Sequence, residues 1–295
     1  MINTLINKVI PAAILCLSIN VLAANADIKS HEYKLLLNTN LFEGDASDQA
    51  SKVNAYWDTL KNTVEKSTFK SDTTGSLSLD KSRTLAFYDV KGSCELSNAG
   101  YSFRERIHKD KREVTLKFIS TEQDIAREKN LKGKKKKAKS KFEEDISAPF
   151  VITYCPSTTQ KIGNDKNLNK MDDPIGLYPG LKDERFDPNL AIEKVNNLTI
   201  NEYVYKNASV DLGSLDAEFS LTLWYNNSVS TTHAMVAEIS FKYEDEKGAT
   251  NSTAAVRAKE LFTMMQEDLA LAIWNAPASL TKTATVYQYK KGFCD

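Results

Sequence analysis

The feature that most limits how this chain can fold is an alternation of charged and apolar side chains in five separate segments. In Ser30–Leu37, the residues Ser30, Glu32 and Lys34 fall on one face, and His31, Tyr33 and Leu35 on the other. In Tyr101–His108, Arg104 and Arg106 lie opposite Phe103 and Ile107. In Glu113–Ile119, Thr115 and Lys117 lie opposite Val114, Leu116 and Phe118. Lys141, Glu143 and Asp145 share a face of Lys141–Ile146, and Glu238, Ser240 and Lys242 share a face of Met235–Tyr243. A period of two is that of an extended strand. Two arrangements satisfy it. An antiparallel sheet can turn one wet face to solvent, with a lattice of surface ion pairs worth little. Alternatively the sheet closes on itself with the charged faces inward, where each charge needs a counter-charge, a metal or a ligand. In the closed case Arg and Lys are suited to phosphate oxygens. The carboxylates are suited to Mg²⁺ or Mn²⁺, which would polarise a phosphate chain and help water attack it.

Further strands are predicted at Leu85–Val90, Phe150–Tyr154, Val210–Tyr225 and Ser279–Tyr289. Two amphipathic helices are predicted. Ser47 or Asp48 caps one that carries Val53, Trp57, Leu60 and Val64 on a single face; the other runs from Thr253 to Asn275, with Pro277 after its end. A short helix is expected from Ser120 or Thr121 toward Lys129. Helices do not alternate with strands. The fold class is therefore α+β: a mainly antiparallel β-barrel or tunnel of about eight strands, with helices packed outside. Residues 27–295 read as one unit with a polar excursion at about 156–190, which holds Pro174, Pro179 and Pro188.

The 295 residues carry 39 Lys+Arg against 39 Asp+Glu, so net charge offers nothing to a nucleic acid. There are only three histidines, His31, His108 and His233, which disfavours a His-rich metal centre. Residues 1–26 read as a signal peptide: Lys8, an apolar run from Val9 to Ala23, and a small-x-small site at Ala24-Asn25-Ala26. No second apolar stretch reaches spanning length, so the mature chain is expected in a periplasm or outside the cell, without a membrane span. Export permits a disulfide among Cys94, Cys155 and Cys294 and leaves one odd thiol; the sequence does not choose the pair. A disulfide is preferred over a nucleophilic role for Cys155. Eight lysines crowd Lys129–Lys141, a self-repelling run expected to be a solvated loop, with an anion-attracting lip as its functional version. Gly133–Ser140 comes close to a phosphate-binding P-loop, but Ala138 replaces the second glycine and no buried strand precedes it. GxSxG, HExxH and CxxC patterns do not occur.

The motif order adds a resemblance. Ser30-x-Glu32-x-Lys34, then a helix, then Phe87-Tyr88-Asp89, then Ala99-Gly100-Tyr101-Ser102-Phe103-Arg104-Glu105-Arg106, then Val114-Thr115-Leu116-Lys117 is similar to the CYTH, or triphosphate tunnel metalloenzyme, superfamily. The acidic strands of that superfamily resemble Lys141–Asp145 and Val236–Lys242, and the likeness runs from about Lys29 to about Tyr289. It implies an eight-stranded antiparallel tunnel that acts on triphosphates, such as tripolyphosphate, with Mg or Mn. Carried over by position, Lys34, Arg104, Arg106 and Lys117 would bind phosphate. Glu32 and Glu238 would bind metal. Glu143 and Asp145 would serve catalysis by holding metal or orienting water. Ser30 and Ser240 depart from the pattern by replacing acids, and Asp211–Tyr225 holds no Lys or Arg, with only Lys206 nearby. Two functions follow from the resemblance: a phosphohydrolase with a degenerate site, or a non-catalytic binding or interaction protein on the same fold, in either case for a phosphate-rich anion or polyphosphate.

Overall fold

The computed structural model describes residues 28, 30–227, 232–245, 252–277 and 280–295. Residues 1–26, read above as a signal peptide, lie outside them. Ten strands make one sheet: β1 (Ser30–Leu37), β2 (Thr73–Asp89), β3 (Tyr101–His108), β4 (Lys111–Phe118), β5 (Lys139–Ser147), β6 (Val151–Lys161), β7 (Glu193–Lys194), β8 (Ile200–Asp211), β9 (Asp216–Asn226) and β10 (Ala234–Glu244). The helices are α1 (Ala46–Lys66), α2 (Glu95–Asn98), α3 (Gln123–Glu128), α4 (Asp172–Leu177), α5 (Thr253–Glu267), α6 (Leu269–Ala272) and α7 (Lys282–Tyr287).

The sheet order is β3-β4-β6-β5-β1-β10-β9-β8-β2-β7, and β2 also pairs with β3. Nine strands therefore close into a ring, with the two-residue β7 attached beside β2. Within the ring only β1 and β5 run parallel; the other neighbours are antiparallel. The fold class expected from the sequence is the one observed, with nine ring strands in place of about eight. The strand not predicted is β8; the predicted Val210–Tyr225 corresponds to its hairpin partner β9 and the turn between them. Asp211 Oδ1 accepts from the Gly213 amide at 2.6 Å, and Gly213 takes φ +89°, so the chain turns between β8 and β9.

β2 begins twelve residues before the predicted Leu85. Its polar first half has little strand propensity of its own; it is held by pairing with β8 through two bulges. Gly75 allows that pairing: a Cβ there would sit 2.0 Å from the Asn207 carbonyl oxygen. Within the predicted strand Ser279–Tyr289, residues Lys282–Tyr287 form α7 instead, and Ser279 lies outside the described residues. The segment's β-branched residues favour a strand, yet Thr281 caps a helix by accepting from the Ala284 amide at 3.1 Å. Packing of Val286 against Leu85, Ile200, Trp224 and Val236 then decides the conformation.

The apolar faces of the strands point outward and are covered. α1 is capped by Asp45 in a capping box with Asp48, and α1 and α5 bury Val53, Tyr56, Trp57, Leu60, Leu261 and Phe262 against Tyr33, Phe219, Leu221 and Phe241. Tyr33 stacks on Phe241 with ring centroids 4.8 Å apart. The predicted Thr253–Asn275 helix breaks at Asp268 into α5 and α6. The excursion predicted at about 156–190 starts later, because β6 runs to Lys161. It is less polar in effect than in composition: Leu168, Met171, Ile175, Leu177, Tyr178 and Leu181 are buried with Phe103, Val114 and Leu116, so it clads the other side of the ring. Among the described residues no helix is long and apolar enough to cross a membrane.

Candidate functional site

Outward packing of the apolar faces turns the charged faces inward. The ring encloses a cavity of about 900 Å³ whose lining carries ten basic and seven acidic side chains. A chain with no net charge thus concentrates a positive excess inside its ring. All eight residues singled out by sequence (Glu32, Lys34, Arg104, Arg106, Lys117, Glu143, Asp145 and Glu238) line this one cavity. The solvent-facing arrangement of the five alternating strands is excluded.

Three ionic clusters stand out in the lining, beside the pairs Lys141–Glu143 and Lys242–Glu218. In the first, Glu32 and Asp145 are opposite each other across the parallel β1–β5 ladder. Lys34 Nζ joins them, 3.0 Å from Glu32 Oε2 and 2.6 Å from Asp145 Oδ2, and Lys117 Nζ donates to the same Asp145 oxygen at 2.7 Å. Burial alone would raise the Asp145 carboxyl, but Lys117 and Lys34 outweigh it and hold the group well below the usual carboxylate range. The same carboxylates hold the Lys34 ammonium well above its ordinary value against its own burial.

In the second cluster, Glu202 of β8 is 1% exposed at its side chain. It accepts from Arg83 Nε, from an Arg106 terminal nitrogen at 3.2 Å and from Trp224 Nε1 at 3.0 Å. Burial raises its carboxyl too, and Arg106 and Arg83 outweigh that, so it is held below its ordinary value. Arg104 is the exception. It lies over the Phe87 ring at 5.9 Å, and no carboxylate within ion-pair distance faces it among the described residues. Its Nε, like that of Arg106, is buried without a hydrogen-bond partner. Burial and repulsion from Arg106 push its guanidinium well below the ordinary arginine value.

The third cluster closes one end. Lys282 at the start of α7 donates to Glu238 Oε1 at 2.6 Å and lies over the Trp224 ring. Beyond it the inward row becomes apolar, with Phe87, Trp224, Val236 and Val286 packed together. A disulfide between Cys94 and Cys294 ties the C-terminal segment to the ring; Cys155 is the free thiol, buried, with its pKa pushed up to about 11 by burial.

Sequence reasoning missed Arg83, Glu202 and Lys282. Glu202 and Lys206 sit in an alternation with Tyr203 and Tyr205 that could have revealed β8. Arg83 and Lys282 lie in segments whose local propensity misleads. Together they supply the basic groups that Asp211–Tyr225 lacks. The lysine run is largely exposed, a loop up to Ala138 and then the first residues of β5; Lys129 pairs with Glu184 at 2.7 Å and Lys141 reaches the cavity.

The metal implied by the motif resemblance does not fit the carboxylates as arranged. Glu32 faces Lys242 and Glu238 faces Leu36 on the β1–β10 ladder, so the two acids start four residues apart, roughly 13 Å along the strands. Each is bound to a lysine instead. No cluster of three or more His, Cys, Asp or Glu able to hold a metal occurs among the described residues.

The depressed carboxyls make stability depend on acid. Unfolded Asp and Glu titrate near about 4. Asp145 and Glu202 stay ionised below that in the folded chain, so the unfolded chain binds more protons as pH falls. Their contribution is present above the ordinary range and is lost as pH falls below it. The melting temperature is expected to drop between roughly pH 5 and 2. A level melting temperature down to pH 3, followed by calorimetry, would mean these pairs are not formed.

No protein-family model matches the chain, and no curated protein does. Among solved structures it is similar to a candidate adenylyl cyclase of Hippeastrum that reveals a dominant triphosphatase activity, at 14% identity over 89% of this chain and 96% of that one, with a TM-score of 0.41. It is also similar to candidate adenylate cyclases from Bacillus halodurans (10% identity, 87% and 96% covered, TM-score 0.39) and Vibrio parahaemolyticus (10% identity, 88% and 98% covered, TM-score 0.35). The closed ring is the tunnel fold that the motif resemblance to the CYTH, or triphosphate tunnel, superfamily implies, with nine strands in place of eight.

Proposed function

We propose that this chain binds a phosphate-rich anion, a linear polyphosphate of the tripolyphosphate class, inside the ring. The observation that carries the proposal is the Arg104–Arg106 pair. It comprises two half-buried guanidinium groups side by side, each with a buried Nε that nothing among the described residues accepts from, in a cavity with surplus positive charge. Buried donors without acceptors are costly, and a guanidinium fork matches phosphate oxygens. Calorimetric titration with sodium tripolyphosphate tests this. An anion that binds only the folded chain, at about 100 times its dissociation constant, should raise the melting temperature by roughly 5–10 °C. No binding and no shift at millimolar tripolyphosphate would refute it.

Hydrolysis of the bound anhydride is a second reading. It is favoured by Asp145 Oδ1, a buried acceptor without a donor among the cations, as a place to hold water. Phosphate release from tripolyphosphate, with and without Mg²⁺ or Mn²⁺, decides between hydrolase and binder. Export belongs to the same proposal. It is supported by the Lys8–Ala26 signal pattern and by the Cys94–Cys294 bond, a kind that persists in oxidising compartments.

A further inference from the structure

We infer that the tunnel takes its anion without a divalent metal, because ammonium groups of the protein already hold the carboxylates that a metal would need. The inference rests on the polyanion reading above. Mg²⁺ and Mn²⁺ demand several oxygens around one point. The carboxylates best placed to offer them, Glu32 and Asp145, are bridged by Lys34 Nζ, and Lys117 shares the Asp145 oxygen. Glu238 is held by Lys282, which α7 carries in from outside the sheet. A dication entering between Glu32 and Asp145 would have to expel a half-buried ammonium and leave it without its carboxylates.

A phosphate chain meets no such obstacle. An ammonium has three donors. Lys34 commits two of them to carboxylates, and Lys117 and Lys282 one each. Donors therefore remain for phosphate oxygens with every internal ion pair intact, beside the uncommitted Nε groups of Arg104 and Arg106. The lysines supply the positive charge that a metal would bring, and they are fixed in place by the same carboxylates.

The test is titration of the whole chain with sodium tripolyphosphate in EDTA and then in excess Mg²⁺. Binding should persist in EDTA, and Mg²⁺ should leave it unchanged or weaken it, since the ion covers the anion's own oxygens. Binding that requires Mg²⁺ or Mn²⁺, or that tightens by about tenfold or more on adding either, overturns the inference while leaving the polyanion reading intact. Absence of binding in both buffers overturns the polyanion reading and the inference with it. A second arm uses Mn²⁺ alone with thermal unfolding. The wild type should not be stabilised, whereas the double variant Lys34→Gln/Lys117→Gln, which removes both ammonium groups from Glu32 and Asp145, should gain stability from Mn²⁺. Stabilisation of the wild type by Mn²⁺ contradicts the inference, as does a folded double variant that ignores Mn²⁺. If that variant fails to fold, the wild-type measurements decide.

Discussion

Replacing Arg104 with alanine should remove most of the anion affinity and leave the protein at least as stable as before. The two effects have one cause. Arg104 is half-buried with its Nε shut off from solvent, stands beside Arg106, and has no carboxylate within ion-pair distance among the described residues, so the folded chain gains little from its charge and bears part of its desolvation. Its contact with the Phe87 ring, at 5.9 Å, is a weak compensation. Toward a phosphate chain the same group is a strong donor. Hydrogen bonds to charged groups contribute about 1.5–3 kcal/mol, which corresponds to a loss of roughly 10- to 100-fold in tripolyphosphate affinity. Arg104→Lys should fall between, since it keeps the charge and loses the planar fork. Titration calorimetry and thermal unfolding on the same samples read both quantities. A clear fall in melting temperature with affinity unchanged would show that Arg104 is a structural residue and would remove the main support for the anion site.

What the sequence disclosed, and what it hid, divides along a physical line. β1 and β3 carry their bounds in the alternation itself, because their outward residues meet a helix or the excursion while their inward residues meet ions. Period two is visible wherever both environments are strong. It disappears in Thr73–Arg83, where the strand is exposed, rich in Ser and Thr and interrupted by bulges; only the partner strand β8 makes it a strand. It misleads in Ser279–Tyr289, where a β-branched stretch is short, capped by Thr281 and fixed at its far side by the Cys94–Cys294 bond.

The same division governs the site. Residues on alternating strands were legible as a shared charged face, and the closed ring brings all eight of them into one cavity. Their counter-ions were not legible. Whether Glu32 faces a metal or Lys34, and whether Arg106 faces a ligand or Glu202, depends on ring closure and on pairs far apart in the chain: Lys34 with Asp145, Arg83 with Glu202, Glu238 with Lys282. A single sequence records the charges and leaves their partners to topology.

Replacing Glu202 with alanine should produce the largest loss of stability of any change in the lining, the opposite of Arg104→Ala, although the two residues belong to one cluster. Glu202 is the carboxylate that Arg83, Arg106 and Trp224 all donate to, and its side chain is 1% exposed. Removing it strands two guanidinium groups beside Arg104 in the same enclosure and leaves the indole N–H without an acceptor. Breaking a buried ion pair from one side costs about 3–5 kcal/mol. For a chain of this size that is a fall of roughly 6–20 °C in melting temperature. Glu202→Gln should lose less, because its amide oxygen still accepts. Tripolyphosphate should then stabilise Glu202→Ala by more degrees than it stabilises the wild type, since the added anion replaces the missing counter-charge for Arg83 and Arg106. Equal shifts in variant and wild type would mean that the anion does not reach the arginine cluster, and that whatever phosphate the ring accepts is held at the Lys34–Lys117 end alone.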